Sequence, residues 1–83
     1  MLLTVRYFAS IREAIGSGSE KVSSSATTLA ELRDELISRG ASYAEALARG
    51  KTVRMALDQV MRDESAPLSE GAEVAFFPPV TGG

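Results

Sequence analysis

Thr28-Leu29-Ala30-Glu31-Leu32-Arg33-Asp34-Glu35-Leu36-Ile37-Ser38-Arg39-Gly40 is the one stretch of this chain long and periodic enough to be a covering helix. Thr28 and Glu31 form a capping box, in which the threonine oxygen accepts from the first turn and the glutamate reaches back. Leu29, Leu32, Leu36 and Ile37 recur at helical spacing, while Arg33, Asp34 and Arg39 lie off that stripe. Gly40 supplies a C-terminal stop. The segments on either side read differently. Leu2 to Phe8 alternates, with Leu3, Val5 and Tyr7 facing one way and Leu2, Thr4, Arg6 and Phe8 the other, which predicts a strand.

Working outward, Ser10-Ile11-Arg12-Glu13 fits a second capping box, opening a short helix that stops near Gly16. Ser17-Gly18-Ser19 is a turn, and Glu20 to Ser23 is a weaker edge strand. Ser42-Tyr43-Ala44-Glu45 predicts a third box and a helix through Leu47 that ends near Gly50. Val53, Met55 and Leu57 alternate with Arg54, Ala56 and Asp58 as a middle strand. Asp63 to Pro67 is a turn, Leu68 anchors a short extended piece, and Ser69-Glu70-Gly71 turns again. Glu73 to Phe77 is the last strand, ended by Pro78-Pro79 because proline cannot donate to a ladder. One dominant helix among several strands describes an α+β fold with a mixed sheet packed on that helix. The first and last strands, the most apolar, are expected side by side and parallel at its centre, as in a β-grasp, or ubiquitin-like, fold. A ferredoxin-like split βαβ arrangement fits less well, because it needs a second covering helix.

Eighty-three residues make one domain, expected over residues 1–79 with a tail over 80–83. The apolar fraction of 45% and charged fraction of 24% are those of a globular chain. A net charge of −2 argues against a nucleic-acid binder acting through overall charge. With no cysteine there is no disulfide framework, thiolate metal site or thiol nucleophile, and with no histidine the commonest general base and metal ligand is gone. No leader is visible and no run approaches the roughly 18 apolar residues of a membrane span, so the expectation is a cytoplasmic protein without membrane contact.

Side-chain chemistry is therefore scarce. Gly16-Ser17-Gly18 precedes a strand, whereas a phosphate-cradling loop opens a helix, so it reads as a turn. Asp58, Asp63 and Glu64 lack the alternating oxygen ligands of a calcium loop and read as solvated charges, leaving no metal site. The C-terminus remains. From Val74 to Gly83 no side chain ionises, and the α-carboxylate of Gly83 is the only charge. Gly82-Gly83 would arise by chance at about 0.5%, from a glycine frequency of about 7%. Pro78 and Pro79 favour an extended exit. Four residues beyond them reach about 13 Å, and two glycines without Cβ can thread a narrow channel. A carboxylate is inert until activated. An acyl-adenylate supplies the leaving group, and a sulfur nucleophile then leaves a thiocarboxylate. With no ATP site in this chain, a separate activating enzyme must supply one.

Ala75-Phe76-Phe77-Pro78-Pro79-Val80-Thr81-Gly82-Gly83 resembles the C-terminus of the small, sulfur-carrier subunit of molybdopterin synthase. Tyr7-Phe8-Ala9 with Ile11-Arg12-Glu13 is similar to that family's first strand and helix. Ala56-Leu57-Asp58-Gln59 is similar to its middle segment, with Asp58 where Asn is typical. The resemblance implies a β-grasp sulfur carrier of molybdenum-cofactor biosynthesis. Gly83, followed in importance by Gly82, would be adenylylated by a ubiquitin-activating-like adenylyltransferase using ATP and then thiocarboxylated. The tail would enter the large synthase subunit in a heterotetramer of two small and two large subunits. There it would give sulfur to cyclic pyranopterin monophosphate. The implied carrier is not catalytic alone and binds no cofactor, since the pterin-binding groups belong to the large subunit.

Ordering Val80 to Gly83 in such a channel costs on the order of 4–8 kcal/mol, at about 1–2 per residue. Phe8 and Phe77 fall on the strand face opposite Tyr7 and Phe76, and Met61 follows the middle strand. Burying these three against a partner is worth roughly 5–9 kcal/mol. Phe8, Met61 and Phe77, with Pro78, Pro79, Val80 and Thr81, are thus the expected docking residues; the alternative is that the three apolar side chains complete the core. Carriers for thiamin or tRNA thiolation also end in Gly-Gly, as do ubiquitin-like modifiers joined to lysines. A β-grasp binding module with an inert tail is the competing class.

Overall fold

The computed structural model describes residues 1–79. Leu2–Tyr7 (β1) is followed by Ala9–Ile15 (α1), Ser19–Ser23 (β2), Leu29–Ile37 (α2), Ala41–Leu47 (α3), Arg54–Leu57 (β3), Val60–Arg62 (β4) and Glu73–Phe77 (β5). The strands form one mixed sheet in the order β2-β1-β5-β3-β4. β1 and β5 are parallel, with Val5 opposite Val74 and Tyr7 opposite Phe76, and every other pairing is antiparallel. This is the expected α+β arrangement with the first and last strands central.

The helices cover one face. Leu3, Val5, Tyr7, Val74 and Phe76 point into it and are at most 1% exposed, as are Leu29, Leu32 and Leu36 of α2. Tyr7 stacks on Phe76 with ring centroids 6.3 Å apart. The Tyr7 and Tyr43 hydroxyls both donate to Glu20 Oε2 at 2.8 Å, and Arg39 holds the other Glu20 oxygen. Burial, then the bond to Glu20, push the Tyr7 hydroxyl well above the usual phenol range. This hydroxyl stays a donor, tying β1 and α3 to the edge strand β2.

Helix entrances differ from expectation. Thr28 caps α2, its side chain accepting from Glu31 N at 3.2 Å. The Glu31 carboxylate, however, reaches Thr27 N and Oγ1, one residue earlier than a capping box places it. Ser10 and Ser42 cap nothing; α1 starts from Phe8 and α3 from Gly40 without side-chain caps. The ladder to β5 continues to Phe8 N, which donates to Phe76 O, while the Phe8 carbonyl already accepts from Ile11 N and Arg12 N. The helix therefore begins directly off the strand, and Ala9 takes up the turn at φ 50°. Gly16 closes α1 in the left-handed conformation as expected. Gly40 does not close α2, which ends at Ser38; it opens α3, which closes at Ala48 rather than near Gly50. The middle strand is shorter than expected, and a hairpin at Asp58-Gln59 carries it back as β4. Leu68 is buried beside the bridge that joins Thr28 to Pro67.

Arg33, placed off the apolar stripe by its charge, is 4% exposed. Its Nε donates to Leu47 O, its Nη2 to Ala48 O and Lys51 O, and its Nη1 to Glu64 Oε1, at 2.8–3.0 Å. One planar fork thus satisfies three carbonyls of the chain leaving α3, which no shorter or single-point donor can do. Arg49 closes the cluster through Asp34, Ala30 O and Glu64. Replacing Arg33 by Met keeps the stem and orphans those carbonyls. Arg33→Met should lower the unfolding free energy by about 2–4 kcal/mol, read as an earlier urea midpoint, and Arg33→Lys should recover less than half of it.

Candidate functional site: the open sheet face at the root of the C-terminus

The face of the sheet away from the helices carries no covering element among the described residues. Strand register fixes what it displays. Arg6, Ala75, Ala56 and Met61 lie in one row across β1, β5, β3 and β4. Phe8, Phe77 and Arg54 lie in the next, where Arg54 is opposite Phe77 and Phe8 follows Tyr7, the partner of Phe76. The Phe8 and Phe77 rings meet edge to face with centroids 6.3 Å apart. The Arg6 guanidinium sits over the Phe8 ring at 5.4 Å. Phe8 is 40% and Met61 48% exposed, while Phe77 is half-buried. None belongs to the core cluster, so these side chains do not complete the core.

Three of the expected docking residues therefore share one surface. Pro78 and Pro79, both half-buried, continue from Phe77 at its edge. Pro78 also walls a groove of about 220 Å³ with Ser10, Ile11, Ala14 and Lys51. Val80, Thr81, Gly82 and Gly83, the expected tail and reacting carboxylate, lie outside the described residues. Sequence reading missed the strand β4 itself, on which Met61 faces the open side while Val60, 59% exposed, lies in the row of Leu57 and Val74 on the other side. Its signal was present as the apolar pair Val60-Met61 directly after the turn, but Asp-Gln is a poor hairpin signature.

The exposure values revise the docking energetics. Phe8 and Met61 have already lost half or more of their surface to the monomer, and Phe77 more still, so covering the three side chains gains roughly 2–4 kcal/mol instead of 5–9. That falls short of, or only matches, the cost of ordering four tail residues at about 1–2 kcal/mol each. Docking through this face would need polar contacts around the apolar centre as well.

Backbone strain gathers around this face. Among the described residues, the non-glycine positions with positive φ are Ala9, next to Phe8, and Asp58 and Gln59, whose turn returns the chain to Met61. Two consecutive left-handed residues make the tight hairpin whose twist matches its strands. Asp58 is locked there, its N–H donating to Glu73 O at 2.8 Å and its Oδ1 accepting from Glu73 N at 2.9 Å. The acids considered as cation ligands are all engaged, Asp58 in this way, Asp63 by Ser65 and Glu64 by Arg33 and Arg49. No group of three or more metal-ligating side chains occurs among the described residues, and none of their helices is long and apolar enough to cross a membrane.

The ThiS family model matches residues 5–83. The chain belongs to the ThiS family. It is 38% identical, over 99% of its length and 100% of the relative's, to the molybdopterin synthase sulfur carrier subunit of Escherichia coli. It superposes on SAMP1 from Haloferax volcanii with a TM-score of 0.78 over the whole of both chains, at 22% identity. A chain of the complex of subunits 1 and 2 of molybdopterin-converting factor from Helicobacter pylori matches it over all of both chains, with a TM-score of 0.69 and 28% identity. The ubiquitin-like β-grasp of these neighbours is the fold of this chain. As a member of the ThiS family carrying Asp58 where the resembling motif has Asn, it uses only an acceptor oxygen there, which either side chain supplies. Asp58→Asn should leave the urea midpoint within experimental error. Asp58→Val, β-branched at positive φ and without an acceptor, should cost about 2–4 kcal/mol.

Proposed function

We propose that this chain is the sulfur carrier of molybdopterin synthase. The observation that carries the reading is the full-length match to a relative bearing that name, together with the pairing of exposed Phe8 with half-buried Phe77 on the open face, next to Pro78 and the sequence that ends in Gly82-Gly83. In this scheme a ubiquitin-activating-like adenylyltransferase binds ATP and joins the Gly83 carboxylate to AMP, releasing pyrophosphate. A sulfur donor displaces AMP, giving the thiocarboxylate. The tail then enters the large synthase subunit, whose active site uses its sulfur to convert cyclic pyranopterin monophosphate into molybdopterin. The carrier holds no cofactor of its own, contributes no side-chain acid or base, and works in the cytoplasm, where the ATP-dependent step takes place. Two carriers and two large subunits make the complete synthase.

What this chain supplies is positioning. The β1–β5 pairing presents Phe8, Phe77 and, across the sheet, Met61 as the apolar centre of a docking surface. Pro78, Pro79, Val80 and Thr81 lead from it to the two glycines, whose lack of Cβ suits a narrow channel. Gly83 is the reacting residue. Docking the open face fixes the start of the tail, and tail length then fixes where the carboxylate arrives.

Deleting Gly83 withdraws the carboxylate by about 3.3–3.6 Å, which is ruinous where reacting atoms must approach to about 3–3.5 Å. The variant should unfold like the parent. After incubation with activating enzyme, ATP and a sulfur donor, its intact mass should not rise by the exchange of one oxygen for sulfur, and it should not support pterin sulfuration. Normal sulfur transfer by the deletion variant would refute the carrier reading.

Phe77→Asp places a charge in the apolar centre while leaving Phe76 and the core untouched. The monomer should stay folded by circular dichroism. Its affinity for the large subunit should fall about thirtyfold or more, as expected at an interface hot spot, by titration calorimetry. Unchanged affinity would remove Phe77 from the interface.

A further inference from the structure

The open face has a charge opposite to that of the chain. Its strand positions hold four ionisable side chains, Arg6, Lys21, Arg54 and Glu73. These strand positions are thus net positive by two, while the whole chain is net negative by two. The cations are not neutralised within the fold. Arg54 is exposed and makes no ion pair among the described residues. Arg6, exposed, approaches the half-buried Glu73 only to 3.9 Å, a long contact that is worth little where solvent reaches it. Lys21 Nζ donates to a neutral group, Thr4 Oγ1, at 2.8 Å. Arg6 and Arg54 also flank the aromatic pair, Arg6 over the Phe8 ring and Arg54 opposite Phe77 in register. Each is therefore on the rim of the apolar centre, where charges act on encounter and partner choice more than on final affinity.

We infer that the open face is a charge-selective docking surface, in which Arg6 and Arg54 pair with carboxylates that rim an apolar socket on the partner protein. This rests on the sulfur-carrier reading, in which the partner that takes the tail lies against this face because Pro78 and Pro79 leave from its edge. Three features of the face favour that occupant. Its apolar centre alone recovers too little free energy to order the tail, so complementary polar groups are needed. A second copy of this chain would set Arg6 and Arg54 against a face of the same sign, which costs several kcal/mol per close pair of like charges. A nucleic acid would find only three cations on the face, while the rest of the surface carries a net charge of −4 and repels it.

Stopped-flow association of the full chain with the large molybdopterin synthase subunit of the same organism, from low to high ionic strength, tests this. The parent association rate should fall steeply with salt. Arg6→Glu with Arg54→Glu should slow association about tenfold or more at low salt, flatten or invert the salt dependence, and change the dissociation rate little. Phe77→Ala, which leaves the charge of the face unchanged, should instead act mainly on dissociation. A double reversal that associates at the parent rate with the parent salt dependence overturns the charge-selective face while leaving the carrier reading intact, provided Phe77→Asp still weakens the complex. Failure of the parent to bind the large subunit at all overturns both. Sedimentation of the chain alone as a dimer that the double reversal dissolves, or binding of a labelled single-stranded oligonucleotide tighter than the large subunit, also overturns the assignment.

Discussion

The parallel pairing of β1 with β5 is the contact on which the rest of the molecule depends. It is non-local, joining the first strand to the last, and must close almost the whole chain before it is rewarded. What rewards it is burial of Leu3, Val5, Tyr7, Val74 and Phe76 against Leu29, Leu32 and Leu36. Parallel strands also need a crossover that covers one face. The intervening helices provide it and leave the other face open. The core and the proposed docking surface are thus two sides of one pairing. The alternation that buries Tyr7 and Phe76 presents Phe8 and Phe77 outward, and their rings meet because the strands that carry them are neighbours.

That pairing extends through Phe8 N, and the strain at the edges of the open face follows. With the ladder running to the last residue of the strand, α1 must begin at once and Ala9 absorbs the change of direction. At the opposite side of the sheet, Asp58 and Gln59 turn β3 into β4 within two residues, and the Asp58 carboxylate ties the turn back to β5 through Glu73. Both strained points fix side chains of the same surface, Phe8 in one case and Met61 in the other. In the proposed role, a surface whose side chains are set by short, hydrogen-bonded turns would lower the ordering cost of association.

The chain divides its work accordingly. Its chemistry, in the proposed scheme, resides in one terminal carboxylate, and everything else serves stability or presentation. The polar cluster around Arg33 lies on the helical side, where it closes the exit from α3. The guanidinium of Arg54, without an ion pair among the described residues, lies on the sheet side, where it is exposed. Two arginines of the same chain therefore have opposite roles, set by which face of the fold each occupies.

The sequence by itself determined the fold class, the central pair of strands, the main helix and the outward parity of Phe8 and Phe77. These follow from periodicity, which is a local property: a period of two or 3.6 assigns faces without reference to the rest of the chain. It also singled out the Gly82-Gly83 terminus, because so few other reactive groups are present. The tertiary structure alone decided what depends on meeting a distant partner. Ser10 and Ser42 had the local pattern of caps, but the ladder at Phe8 and the short link at Gly40 set where those helices begin. Arg33 looked like a surface charge until the loop after α3 delivered three carbonyls to it. Asp58 looked like the end of a strand because its left-handed conformation is stabilised by Glu73, fifteen residues away. The charge of the open face was equally invisible in a chain of net charge −2, since only strand register gathers Arg6, Lys21 and Arg54 on one side and sends most of the acids elsewhere.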